Sequence, residues 1–265
     1  MVRIEIGKYK FKGERSWDEC SSDRMAELSL FPRISPDKDD NVGYAIAAWL
    51  KIPGMIFRKL EVDRYQFNEL KKQLLWMFKK SPKKPFPYIQ VGNRLTGTKL
   101  YLPAPEFEDT TSLELAMAFI HYTLFAKGEE GSLDKLITTL CREKSKEKRV
   151  NTDDIREEYS EYCAEKMALK LTKVPIGVKM AFLNYFECML EDFMATYREV
   201  FGSGESSRYD SGLGMIMVLK SVAQQGYFGT YDDVCKKPVN LFWTVLLDDV
   251  LTQREQEEKY AGLQS

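Results

Sequence analysis

Apolar segments with helical spacing fill the chain from about residue 106 to its end, and this pattern constrains the fold most. The capping box Thr111-Ser-Leu-Glu114 opens the first segment. In this motif the Thr111 side chain can accept a hydrogen bond from the amide of Glu114, and the Glu114 side chain can accept one from the amide of Thr111. Pro175 suits the first turn of the longest segment, and the last segment begins near Pro238. We therefore predict a helical domain over residues 106–265.

Strand signals are confined to the first part of the chain. Apolar and polar residues alternate on both sides of Gly7, which is typical of a β-hairpin. Two short strands are predicted around residues 88–91 and 94–102, with a turn between them. The predicted fold class is therefore mainly α, with a helical C-terminal domain and a small mixed α/β N-terminal part over residues 1–105.

Two polar residues of the N-terminal part are expected to cap helices. The segment Ser16-Trp-Asp-Glu19 has the capping-box pattern and predicts a helix through about Leu30. Asp63 is expected to cap a longer helix, in which apolar residues recur at helical spacing.

The balance of charges excludes a general attraction to nucleic acid or to anionic lipid. Lysine and arginine number 39, aspartate and glutamate number 40, and the net charge is −1. No apolar run approaches the roughly 18 residues that a membrane helix needs, so we expect no membrane partner. The five cysteines are far apart and form no Cys-x-x-Cys pair, as in a cytoplasmic protein with reduced thiols.

The chain lacks the residue combinations that are typical of active sites. The single histidine, His121, lies in an apolar helical run and is expected to pack there. Glu187 and Glu191 share one side of a helix, but the metal sites of helical bundles also use a Glu-x-x-His motif. We therefore expect no catalytic residue, no cofactor and no metal, hence a protein that is not an enzyme. An enzyme with an unrecognised site is kept as an alternative.

The clearest binding signal is a basic loop over residues 79–88. Three prolines and four lysines within nine residues cannot continue a helix and indicate an exposed loop. Lysines followed by aromatic residues could contact phosphates and stack on bases, so a nucleic-acid-binding protein is the alternative function. The other interpretation is an ordinary solvated loop. The candidate partner-binding residues are Lys79, Lys80, Lys83, Lys84, Phe86 and Tyr88.

Two C-terminal helical segments are apolar on most sides. Such helices are either central in their own domain or buried against a partner, and both alternatives remain open. The large apolar residues are Phe182, Tyr185, Phe186, Met189, Phe193 and Tyr197 in one segment, and Leu241, Phe242, Trp243, Leu246 and Leu247 in the other.

Several short segments, spread over most of the chain, carry a family resemblance. They are the hairpin with Ser16-Trp-Asp-Glu19, the acidic Phe107-Glu-Asp-Thr-Thr111, the segment from Leu133 to Arg142, and the segment from Gly226 to Val234 before Pro238-Val239. Together they resemble proteins encoded in the structural gene blocks of Bacteroidetes phages and prophages, particularly those likened to tail-assembly chaperones. Two features depart from that pattern: Cys141 stands where an aromatic residue is frequent, and the basic loop is not part of it.

The resemblance implies a function in virion assembly. Proteins of this kind are not enzymes, and no catalytic residue is carried over. They bind another phage structural protein or associate with themselves, in the cytoplasm of the bacterial host. The expected function is therefore a non-enzymatic phage or prophage tail-assembly factor.

Overall fold

In the computed structural model, the structure describes residues 1–93, 95–146, 154–201 and 212–263. More than half of the chain is helical, and the strands form two small antiparallel sheets, which confirms the mainly α fold class. The strands are β1 (Val2–Ile6), β2 (Tyr9–Gly13), β3 (Tyr88–Val91) and β4 (Thr98–Tyr101). The helices are α1 (Ser22–Leu28), α2 (Asp39–Trp49), α3 (Gly54–Phe57), α4 (Arg64–Leu74), α5 (Ser112–Ala126), α6 (Ser132–Leu140), α7 (Glu161–Leu171), α8 (Ile176–Thr196), α9 (Arg198–Phe201), α10 (Gly214–Gln225), α11 (Tyr231–Cys235) and α12 (Val239–Leu263).

The chain forms two compact units. Unit 1 comprises Met1–Phe86 and Pro175–Cys188, and unit 2 comprises Pro87–Val174 and Met189–Ser265. These units differ from the predicted division at residue 105, because β3 and β4 belong to unit 2 and the first half of α8 belongs to unit 1. The two units are defined by contacts between residues far apart in sequence. The strand and helix signals along the chain carry no information on such contacts.

Unit 1 combines the β1–β2 hairpin with α1 to α4. The predicted hairpin is confirmed: Ile6 pairs with Tyr9, and Gly7 adopts a positive φ of 58° that favours glycine. Asp63 caps α4 as predicted, with its carboxylate 2.7 Å from the amide nitrogen of Gln66. The core is built from side chains that are fully shielded from solvent, among them Ile6, Leu28, Val42, Trp49, Leu74 and Met77.

The continuous helix predicted from Ser16 is wrong. A short 3-10 turn at Trp17–Glu19 is followed by α1, which Ser21 caps in place of Ser16. The side chain of Ser16 makes no capping hydrogen bond. Trp17 is buried, and its indole N–H donates to the carbonyl of Lys79 at 2.9 Å. This long-range contact holds the turn in a position that a regular helix would not reach.

The first half of α8 is fixed within unit 1 by close backbone contact. A Cβ atom at Gly177 would clash with the carbonyl oxygen of Ala26, so only glycine permits this approach. The hydroxyl of Ser29 donates to the carbonyl of Gly177 at 2.7 Å, and the amide of Asn184 donates to the carbonyl of Ser29 at 2.8 Å.

Unit 2 is the more helical of the two. Helix α5 packs on α6, α6 on α7, and α10, α11 and α12 also contact α5. The capping box that opens α5 is confirmed, since Thr111 and Glu114 exchange both hydrogen bonds. Strands β3 and β4 pair with Ile89 opposite Leu100, and β3 matches the predicted strand. Strand β4 is shorter than the predicted strand over residues 94–102, because residues 95–97 form the turn that leads back from β3; Arg94 lies outside the described residues.

The last helix of unit 2 is longer than the sequence suggested. Helix α12 has 25 residues, against 21 in α8, which was expected to be the longest. Its first turns are buried in an aromatic cluster, in which the ring of Trp243 lies 4.6 Å from that of Phe201 and 5.7 Å from that of Phe193. Among helices in the described part of the chain, none combines the length and apolar character needed to cross a membrane.

Candidate functional site

Two lysines of the predicted basic loop make contacts inside unit 1. The ammonium of Lys80 lies 3.1 Å from the carboxylate of Glu187. The ammonium of Lys83 donates to the carbonyls of Asp18 and Cys20, at 2.8 and 3.2 Å. These lysines therefore tie the loop to the body of the unit.

The other candidate residues lie in different surroundings. Lys79 is exposed, Lys84 is half-buried and Phe86 is buried, with 8% of its surface accessible. Tyr88 belongs to β3 of unit 2, where its ring lies 5.7 Å from that of Tyr101. The six residues therefore differ in burial and in contacts, and their role in binding a partner stays a prediction.

Of the acidic residues and the histidine considered from the sequence, Glu191 is exposed, whereas Glu187 and His121 are at least partly buried. Glu187 is 3% exposed and accepts a hydrogen bond from Arg33 at 2.7 Å, besides its contact with Lys80. Burial lowers the pKa of His121, and its buried Nδ1 has no hydrogen-bond partner in the described structure. Within the described residues, no group of three or more histidine, cysteine or acidic side chains is placed to hold a metal ion.

Unit 2 contains a cavity of about 510 Å³, lined by residues of 108–114, 158–159 and 231–238. We call it the acidic cavity. Two of its walls are joined by main-chain hydrogen bonds: the amide of Ser112 donates to the carbonyl of Lys237, and the amide of Val239 to that of Thr110, both at 2.9 Å. The walls are therefore held in a defined arrangement.

A buried cluster of ions lies next to the acidic cavity and includes two of its lining residues. We define the ion cluster as Asp109, Glu114, Arg142, Asp154 and Arg156. Glu114 is 2% exposed, and its carboxylate lies 3.0 Å from the guanidinium of Arg142. Burial raises the pKa of Glu114, and the positive charges of Arg142 and Arg156 oppose this shift.

Arg156 is the centre of the ion cluster and has no solvent exposure. Its Nε lies 2.7 Å from the carboxylate of Asp154, and its Nη2 lies 2.9 Å from that of Asp109. It also donates to the carbonyls of Leu140 and Asp109, at 2.6 and 2.7 Å. The capping box marks Glu114 in the sequence, but no local pattern links the two arginines to it.

The rim of the acidic cavity carries unpaired negative charge. Glu108, Glu158 and Asp232 are exposed there, and none of them forms an ion pair with another described residue. Lys236 is the one cationic residue that lines the cavity in the described structure. The rim therefore attracts cations.

Two neutral polar groups complete the acidic cavity. The hydroxyl of Tyr159 is buried and makes no hydrogen bond of normal geometry to any described residue. Burial raises the pKa of Tyr159 to about 12, and it also raises the pKa of the Cys235 thiol. Both groups therefore stay protonated at neutral pH.

The second half of α12 is the most exposed helical segment of unit 2. Every residue from Leu251 to Ala261 is exposed. Leu241 and Leu251, which are 51% and 43% exposed, are separated by about 80° around the helix axis and so share one side. Among the described contacts of this segment, Arg254 forms an ion pair with Glu199 of α9.

Comparison of the chain with known protein families, with curated proteins and with solved structures finds no match.

Proposed function

We propose that this protein is a non-enzymatic assembly factor that binds another structural protein of a phage or prophage tail through the exposed side of α12. The observation that carries the proposal is the second half of α12, which is helical although its residues from Leu251 to Ala261 are exposed. The segment continues a helix whose first turns are already packed, so it is presented in helical form with its side chains accessible to a protein partner.

Exposed leucines on the same helix support a protein partner. Leu241 and Leu251 lie on one side of α12, and burying an apolar side chain of this size stabilises an interface by roughly 1.5–3 kcal/mol. The resemblance to tail-assembly-chaperone-like proteins supplies the class of partner.

The chemistry of the acidic cavity favours binding over catalysis. Glu114 is held by Arg142, and Asp109 is held by Arg156, so neither carboxylate is free to act as a base. The raised pKa of Cys235 keeps its thiol in the protonated form, which is a weak nucleophile. The internal contacts of Lys80 and Lys83 favour protein binding over the nucleic-acid alternative.

The proposal is tested on purified products of the genes that flank the coding gene. We expect one of them to be a virion structural protein that binds the full chain in a calorimetric titration. Replacing both Leu241→Ser and Leu251→Ser should weaken binding by about tenfold or more, which corresponds to roughly 1.4 kcal/mol.

The matched control replaces two exposed leucines elsewhere, Leu95→Ser and Leu169→Ser, which are 90% and 76% exposed. This variant should bind like the unmodified chain. The proposal is wrong if no flanking structural protein binds, or if the α12 variant and the control bind equally well.

A further inference from the structure

The acidic cavity has the size and construction of a ligand site. Its volume of about 510 Å³ lies within the range of roughly 300–1,000 Å³ that small-ligand pockets occupy. Three separate segments of the chain line it, and main-chain hydrogen bonds at Ser112 and Val239 join two of them. The adjacent buried ion cluster fixes Asp109 and Glu114, so that these walls are already formed before a ligand enters.

The charges of the acidic cavity select a cation. Asp109 and Glu114 are compensated by arginines of the ion cluster, whereas the rim carboxylates of Glu108, Glu158 and Asp232 have no ion-pair partner in the described structure. Lys236 is the one cationic lining residue in the described structure, so negative charge exceeds positive charge there, and a cleft with such an excess concentrates counter-ions of the opposite sign. An organic cation would compensate the rim carboxylates.

The remaining lining residues favour a planar organic cation over a metal ion. Calcium requires six to eight oxygen ligands, whereas no group of acidic side chains in the described residues is close enough to hold a metal. The rings of Tyr159 and Tyr231 line the same cavity. A guanidinium forms paired hydrogen bonds with carboxylates and stacks on aromatic rings.

We propose that the acidic cavity of unit 2 binds the guanidinium group of an arginine in a basic segment of the protein partner. This inference rests on the proposed function, because that function supplies a protein as the source of the cation. The arginine enters between Glu158 and Asp232 and stacks against the tyrosine rings. The exposed side of α12 and this cavity then contact two different parts of one partner.

The test uses the full chain and a defined probe, the peptide acetyl-Gly-Arg-Gly-Arg-Gly-amide. We expect saturable binding in a calorimetric titration, with a Kd below about 1 mM at low salt. The double variant Glu158→Gln and Asp232→Asn should weaken binding by about fivefold or more. Both residues are exposed, so unchanged circular dichroism would show that the variant remains folded.

Matched controls separate a specific site from general charge attraction. The variant Glu255→Gln and Glu257→Gln removes two carboxylates from the exposed part of α12 and should change binding by less than about twofold. A peptide with citrulline in place of arginine keeps the shape but lacks the charge, and should not bind. The inference is overturned if the citrulline peptide binds equally well, or if the α12 variant weakens binding as much as the cavity variant.

A third titration, with spermidine as the probe, identifies the source of the cation. If spermidine binds in the cavity and the arginine peptide does not, the ligand is a free polyamine and the inference is wrong. Failure of the peptide while the flanking structural protein still binds through α12 would overturn this inference alone. Absence of binding to any flanking structural protein would overturn the proposed function, whatever the peptide does.

Discussion

At the scale of single residues, Arg156 shows how unit 2 holds charge in its interior. A buried guanidinium is costly to desolvate unless carboxylates and carbonyls occupy its donors. Asp154 and Asp109 supply the carboxylates, and Leu140 supplies a carbonyl, all within 2.9 Å of the guanidinium. The arginine therefore connects the end of α6 to the segment that precedes α5.

Replacing Arg156→Met should lower the free energy of unfolding by about 3–5 kcal/mol, because it removes the cation that pairs with Asp109 and one of the two arginines that pair with the buried carboxylate of Asp154. Urea denaturation followed by circular dichroism measures this change. The control Arg58→Met removes an exposed arginine and should stay within about 0.5 kcal/mol of the unmodified chain. Equal stability of the two variants would contradict a stabilising role for the ion cluster.

The cysteines should differ strongly in reactivity. Cys163 is exposed, whereas Cys20 is buried and its burial raises the pKa of the thiol to about 11. At pH 8 only about one Cys20 thiol in a thousand is in the reactive thiolate form. Iodoacetamide at pH 8, followed by mass spectrometry of peptides, should label Cys163 first.

The reactivity of Cys20 should rise as the pH approaches 11, because its thiolate fraction increases through that pKa. If Cys20 were labelled as fast as Cys163 at pH 8, unit 1 would have to open under native conditions.

At the scale of secondary structure, helix starts were predicted correctly where the capping interaction is local. Asp63 and Thr111 each accept a hydrogen bond from an amide three residues further on, and the sequence alone reveals that spacing. Ser16 has the same spacing to Glu19 but makes no cap, because the contact of Trp17 with Lys79 holds the segment in a 3-10 turn. A capping pattern is therefore reliable only where no distant contact competes with it.

Two alanine substitutions test this difference. Thr111→Ala should destabilise the protein by about 1 kcal/mol, because it removes the cap of α5. Ser16→Ala should have almost no effect, because the Ser16 side chain makes no capping hydrogen bond. Urea denaturation of both variants measures the difference, and a larger loss at Ser16 than at Thr111 would contradict the assignment of the caps.

At the scale of the whole molecule, the two ends of α12 differ in what they contribute. Val239, Phe242 and Trp243 are at most 3% exposed and complete the aromatic cluster of unit 2. From Leu251 onward the described side chains are exposed, and the ion pair of Arg254 with Glu199 is a surface pair of the kind that contributes little. The first turns of α12 therefore contribute to the stability of unit 2, whereas the exposed second half contributes little to it.

Two truncations should separate these contributions. Ending the chain after Leu251 should leave the melting temperature nearly unchanged, because it removes exposed residues. Ending it after Pro238 should give insoluble or molten protein, because it removes buried side chains that each stabilise by roughly 1.5–3 kcal/mol. Thermal unfolding measures both; a large loss from the shorter truncation would show that the end of α12 packs on the protein.

The sequence by itself determined the mainly α fold class, the N-terminal hairpin, and the starts of α4 and α5. These features depend on residues that are neighbours along the chain, so that spacing and side-chain type are sufficient to predict them. The hydrogen bonds at Asp63 and Thr111 are examples.

Only the tertiary structure decided the composition of the two units, the acidic cavity and the ion cluster. The ion cluster brings Asp109 and Glu114 to Arg142 and Arg156, and no periodic pattern marks these residues as neighbours. A buried charge is stable only when its partners arrive from other parts of the chain, so its position is a consequence of packing. The same reason explains why α8 is shared between the units, since each of its halves packs with different distant residues.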